Sequence, residues 1–148
     1  MVLFLGCSTR EIIKEQIYED EEKYVELYRN ATTLEVIEVL KQYRAKADEY
    51  EAKGWDVKGV KTDAIRAMNE ARIAAVHRDL GNDEESEYWI KRAVEHQNMA
   101  RGYTNATADG LLLLVDTLDK RIDPLWRKEI GQQPVPGYRH QEVSQPDP

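Results

Sequence analysis

Side chains able to do chemistry are few in this chain, and their spacing argues against catalysis. There are three histidines among the 148 residues, His77, His96 and His140. No His-x3-His pair and no His-Glu-x-x-His run occurs, so the usual zinc-ligand spacing is missing. Asp116, Asp119 and Asp123 fall near one face of a helical stretch, but no glycine-hinged calcium loop accompanies them. They are expected to form the wet side of that helix, opposite Leu111, Leu114, Val115 and Leu118. The phosphate-cradling glycine patterns and Gly-x-Ser-x-Gly are also absent from the sequence. His77 and His96, on neighbouring antiparallel helices, are the one histidine pair that could meet, and such a pair would still need carboxylate partners. The expectation is therefore a protein without enzymatic activity, cofactor, metal or small-molecule substrate. The remaining reactive group is the thiol of Cys7, the only cysteine, which excludes an internal disulfide and a thiolate metal cluster.

Cys7 closes the run Val2-Leu3-Phe4-Leu5-Gly6-Cys7-Ser8, directly before a strongly polar stretch. Leu5-Gly6-Cys7 resembles the lipobox of bacterial lipoproteins. Gly6 is the small residue that pattern wants before the cysteine, while Phe4 stands where it prefers Leu. Six residues with no Lys or Arg precede Cys7, fewer than the basic n-region and ~7–15 apolar residues of a secretory signal. The resemblance implies acyl chains on Cys7, a mature chain starting there and anchoring on the periplasmic side of a membrane. Ser8 rather than Asp in the next position resembles lipoproteins sorted to the outer membrane of Gram-negative bacteria. The alternative is a short apolar N-terminus with a packed or idle thiol.

At 148 residues the chain suits one domain. Charged residues make up 33% and apolar ones 41%, with one Phe, eight Tyr and three Trp, a composition of amphipathic helices. The formal charge of −7, with Lys and Arg dispersed among acids, leaves no basic footprint for phosphates and speaks against nucleic-acid binding. The longest apolar run past the N-terminus, Leu111-Leu112-Leu113-Leu114-Val115, is far short of the ~20 residues that span a bilayer.

Three parts follow: an apolar segment at 1–8, a helical domain at 9–130 and a Pro-rich tail at 131–148. Ile13, Ile17, Tyr24 and Tyr28, with Val25, recur at helical spacing over 9–30. Thr32 to Glu35 reads as a capping box, followed by the apolar face Val36, Ile37, Leu40, Tyr43, Ala47 and Tyr50 and a stop at Gly54. Trp55 is expected to fold back onto this pair. An alanine-rich helix over 62–80 is followed by a turn at Gly81 and a second capping box, Asn82 with Glu85. A fourth helix then runs through Met99 to a break near Gly102, and a fifth covers 106–121 up to Pro124. Pro134, Pro136, Pro146 and Pro148 predict an extended tail, with Trp126 and Tyr138 as its anchors.

Within 67–93, Ile73 and Ala74, then Gly81, then Ser86, Ile90 and Ala93 follow a large-small, glycine, small-large-small order. This stretch resembles one tetratricopeptide repeat, a helical hairpin that stacks with its copies into a concave protein-binding surface. Glu70 and His77 stand where that family often has Trp and Tyr. The fold class expected is all-α, built of antiparallel helical hairpins, either tetratricopeptide-like or an ordinary four- or five-helix bundle. The function implied is a lipid-anchored adaptor that binds another envelope protein through Tyr43, Tyr50, His77, Tyr88, Trp89 and Trp126. The alternative is an accessory structural subunit of a membrane complex, with an enzyme or ligand carrier third.

Overall fold

The computed structural model describes residues 2–55, 61–102 and 105–132; for 2–8, 101 and 132 it describes the backbone alone. The fold is all-α, with six helices among the described residues: α1 Val2–Asn30, α2 Val36–Ala52, α3 Thr62–Asp79, α4 Asp83–Arg101, α5 Ala108–Ile122 and α6 Leu125–Gln132. The tail expected at 133–148, with Tyr138 and His140, lies outside the described residues. So do Asp56 to Gly59 of the expected turn and Tyr103 to Thr104 of the expected break.

Helix α3 is central because its residues are small on one side and large on another. Ala71, Ala74 and Ala75 are buried against Ile90 and Ala93 of α4 and Leu111 and Val115 of α5. Side chains this small let two helix backbones approach closely. At the crossing the Ser86 hydroxyl donates to the Ala74 carbonyl at 2.8 Å, so the small polar residue of the expected hairpin satisfies itself on the facing backbone. Ile73 and Val76 point into a second cluster with Tyr28, Ala31, Val36, Leu40, Trp126 and Ile130. One helix thereby serves two cores.

Two helix ends close as their glycines predict. After α2 the Trp55 N–H bonds to the Tyr50 carbonyl at 2.8 Å and the Gly54 N–H to the Glu51 carbonyl at 2.9 Å. After α3 the same pair of bonds runs from Asn82 to His77 and from Gly81 to Arg78. Both turns need a left-handed residue, and Gly54 and Gly81 supply it with φ of 71° and 80°. Trp55 does fold back, its ring stacking on Tyr50 at 5.9 Å.

Neither capping box forms. Helix α2 starts after Glu35, and α4 after Asn82, without a side-chain cap bond at either position. Thr33 is instead claimed by a distant residue: its N–H and hydroxyl donate to Glu129 Oε1 of α6 at 2.6 and 2.9 Å. Helix α5 does carry a side-chain cap, Thr107 accepting from the Gly110 N–H at 3.0 Å.

Helix α6 follows the expected fifth helix and ends where the tail was expected to begin. Pro124 suits the entry to a helix, and Trp126 and Ile130, one turn apart, bury a single face in the first core. Trp126 is fully buried, and its indole N–H donates to the Tyr28 hydroxyl at 3.2 Å. Its assignment as a protein-binding residue is therefore corrected: it holds α6 to α1 within the chain. Trp126→Ala should cost about 3–5 kcal/mol, the range for emptying a large aromatic site, read as a lowered urea midpoint with unchanged slope.

Candidate protein-binding surface

The acid at Glu70 departs from a repeat-like helix, and the surrounding residues explain why it is tolerated. Glu70 is fully buried in the middle of α3. A carboxylate taken from water needs opposite charge and donors around it. Arg44 of α2 donates from Nε to Oε2 at 2.8 Å, and His96 of α4 presents Nδ1 to Oε1 at 2.6 Å. Arg92, also of α4, brings its Nε to 3.6 Å from Oε2. His96 therefore partners a carboxylate, not His77.

Arg44 and Arg92, the cations paired with Glu70, also stand beside aromatic rings, where Lys41 joins them. Arg44, Arg92 and Lys41 all stand 5.7–5.9 Å from the Trp89 ring centre. Tyr88 meets Trp89 edge-on at 5.4 Å and carries Arg92 over its own face at 5.5 Å. Tyr88 is 53% exposed, and Trp89 is half-buried. The result is a cation–aromatic patch assembled from α2 and α4 over a carboxylate on α3.

The other expected binding residues fall elsewhere. Tyr50 is buried, its hydroxyl donating to Asp20 of α1 at 2.6 Å. Tyr43 is half-buried with its ring 4.9 Å from Tyr24 of α1. Both rings fasten α2 to α1, which corrects Tyr50 as a surface anchor and separates Tyr43 from the patch. His77 is half-buried with Nδ1 3.4 Å from Asn82 Nδ2, and burial lowers its pKa. Cys7 belongs to α1, but its side chain lies outside the described ones.

The acidic face of α5 is corrected in part: Asp116 and Asp119 are turned inward, while Asp123 is exposed and pairs with Lys128 at 2.8 Å. Asp119 is buried and accepts from the Tyr28 hydroxyl at 2.7 Å and from Arg127 Nε at 2.6 Å. Asp116 takes both terminal nitrogens of Arg78 at 3.1 and 2.9 Å and one of Arg127 at 2.9 Å. Burial raises the Asp116 pKa, but hydrogen bonds from Arg78 and Arg127 outweigh it and the net shift is downward. Leu111 and Val115 are buried as expected, whereas Leu113 and Leu114 are exposed. Among the described residues no three His, Cys, Asp or Glu side chains gather as a metal site, and no helix is long and apolar enough to cross a membrane.

A third ion cluster closes the start of α3. Arg66 is buried and bonds Asp48 at 2.6 Å, Glu51 at 2.8 Å and Asp63 at 2.9 Å. Hydrogen bonds from Arg66 and then Thr62 lower the Glu51 carboxyl from its ordinary 4.5 to about 2.

Searches against family models, curated proteins and solved structures give no match to this chain.

Two measurements check these clusters. Glu70→Ala strands buried positive charge. Because Arg44 and Arg92 keep 20% and 39% of their side-chain exposure, the expected loss is at the low end of the ~3–5 kcal/mol typical of a broken buried pair, read by urea unfolding. For Glu51, a depressed carboxyl stabilises the fold above its unfolded value, and that stability disappears as pH falls through the folded one. Stability should therefore decline from pH 4.5 toward about 2. Arg66→Leu should flatten that decline, and carbon NMR of the Glu51 carboxyl should show its titration returning toward 4.5.

Proposed function

We propose that the protein is a non-enzymatic helical adaptor, held at a membrane through acyl chains on Cys7, that binds an envelope protein through the Trp89 patch. The observation carrying this reading is the clustering of Tyr88, Trp89, Arg92, Arg44 and Lys41. Trp, Tyr and Arg are the residues that dominate interface energetics. Here Arg44 and Arg92 are held by the underlying Glu70 and pack on the rings, so a partner would meet side chains with less freedom left to lose. The Gly6-Cys7 pair supports the anchor.

A second reading is favoured by α1, whose backbone runs helically from Val2 to Asn30. In it residues 1–8 stay attached and the protein is an accessory subunit of a membrane complex.

The test introduces a photoreactive phenylalanine at position 88 and irradiates the native membrane fraction. One adduct of defined mass is expected, lost when Arg92→Ala is added and absent when the probe sits at the equally exposed Tyr18. Intact mass of the recovered chain separates the readings: a chain starting at acylated Cys7 supports the anchor, and an unmodified chain retaining residues 1–8 supports the subunit. No adduct at position 88 in either case overturns the adaptor.

A further inference from the structure

Helices α1, α3 and α5 part along one side and leave an open cavity of about 470 Å³, within the ~300–1,000 Å³ of small-molecule sites. Its walls are apolar, made by Ile17, Val25, Ile65, Met68, Leu118 and Ile122. On α3, Ile65, Met68, Asn69 and Arg72 share this face, while Glu70 points to another. The cavity is thus built from residues that the Glu70 cluster does not use.

Two of its polar groups lack partners. Arg72 is only 7% exposed and has no carboxylate paired with it among the described residues. Its guanidinium lies 4.7 Å from the Tyr28 ring centre, and its Nε makes no hydrogen bond. Asn69, 1% exposed, donates its amide to the Ile65 carbonyl at 2.9 Å and leaves Oδ1 unbonded. Every other buried arginine cluster described above is matched by carboxylates, so an unpaired cation at this depth is an exception that calls for a counter-charge. Lys14 and Lys61 also line the cavity, against one acid, Glu21. Three cations and one anion make +2 here, in a chain of −7.

We infer that this cavity binds a small amphiphile with one carboxylate on an apolar body, the headgroup pairing with Arg72 and the body lying along the α1, α3 and α5 walls. A guanidinium presents forked donors that suit a carboxylate. The apolar walls suit a hydrocarbon better than a peptide, whose backbone N–H and C=O groups would find few partners among them. This site is independent of the Trp89 patch, and either can fail alone.

The test uses the full chain and dodecanoate, labelled with carbon-13 at its carboxyl and kept below its micellar concentration. Saturable one-site binding is expected by calorimetry, with a shifted carboxyl resonance. Arg72→Gln should weaken binding about tenfold or more, the scale of a lost charge-assisted hydrogen bond. Dodecanol should also bind about tenfold more weakly, since it lacks the charge. Because Arg72 also packs on Tyr28, Ile65→Trp serves as a second variant: it fills the cavity, keeps the arginine and should abolish binding with the helical circular dichroism retained. Non-saturable uptake of dodecanoate, equal binding by dodecanol, or undiminished binding by Ile65→Trp overturns the inference. So does a site that takes a peptide with a free C-terminal carboxylate and refuses dodecanoate.

Discussion

A carboxylate buried at the centre of α3 constrains everything packed around it. Glu70 has no access to water, so the fold must bring it polar partners, and they come from both flanking helices: the cations Arg44 from α2 and Arg92 from α4, and the His96 ring, also from α4. An apolar residue could fill the volume without specifying who stands beside it. A buried charge cannot, because any arrangement that leaves it unpaired is strongly unfavourable. The three helices are thereby tied in one relative register by a requirement that hydrophobic burial alone does not impose.

Asp119 does the same for the helices that Glu70 does not reach. It lies beneath Tyr28 of α1 and Arg127 of α6, and Trp126 completes the chain by donating to the same tyrosine hydroxyl. Burial, and then the charge on Asp119, push the Tyr28 phenol well above its ordinary pKa, so it remains a proton donor to the carboxylate across the working pH range. Because α3 contributes Ile73 and Val76 to this core and its alanines to the other, the two ionic centres are joined through the apolar faces of one helix. The short α6 owes its place to this arrangement. Eight residues are too few to be stable alone in water, and its tryptophan supplies the burial that holds it.

The same economy shapes the two candidate sites. Around Trp89, Arg44 and Arg92 are paired below with Glu70, and what reaches the surface is a set of rings and guanidiniums with limited freedom. Around Arg72 the charge is unmatched and the walls are apolar. A surface of the first kind suits a broad protein partner, and a recess of the second kind suits a small anionic one. Both draw their positive character from a chain that is acidic overall.

Much of the fold was legible from local pattern. The faces of α1 and α2, the alanine-rich α3, the glycine stops at Gly54 and Gly81, and the small-large-small packing of Ser86, Ile90 and Ala93 all follow from spacing and backbone freedom, which nearest neighbours in sequence decide. The charged residues were not legible in this way. Glu70 and Asp119 look like solvated acids until helices from 26 and 91 residues away are brought against them. Thr33 reads as a cap until Glu129, 96 residues distant, takes its donors. Trp126 reads as a surface anchor until Tyr28 meets it. The helical faces and the glycine-closed helix ends depend on interactions within a few residues, so sequence by itself determined them. Whether a charge is buried, and which cation answers it, depends on contacts between distant segments, so only the tertiary structure decided where the cores, the Trp89 patch and the Arg72 cavity lie.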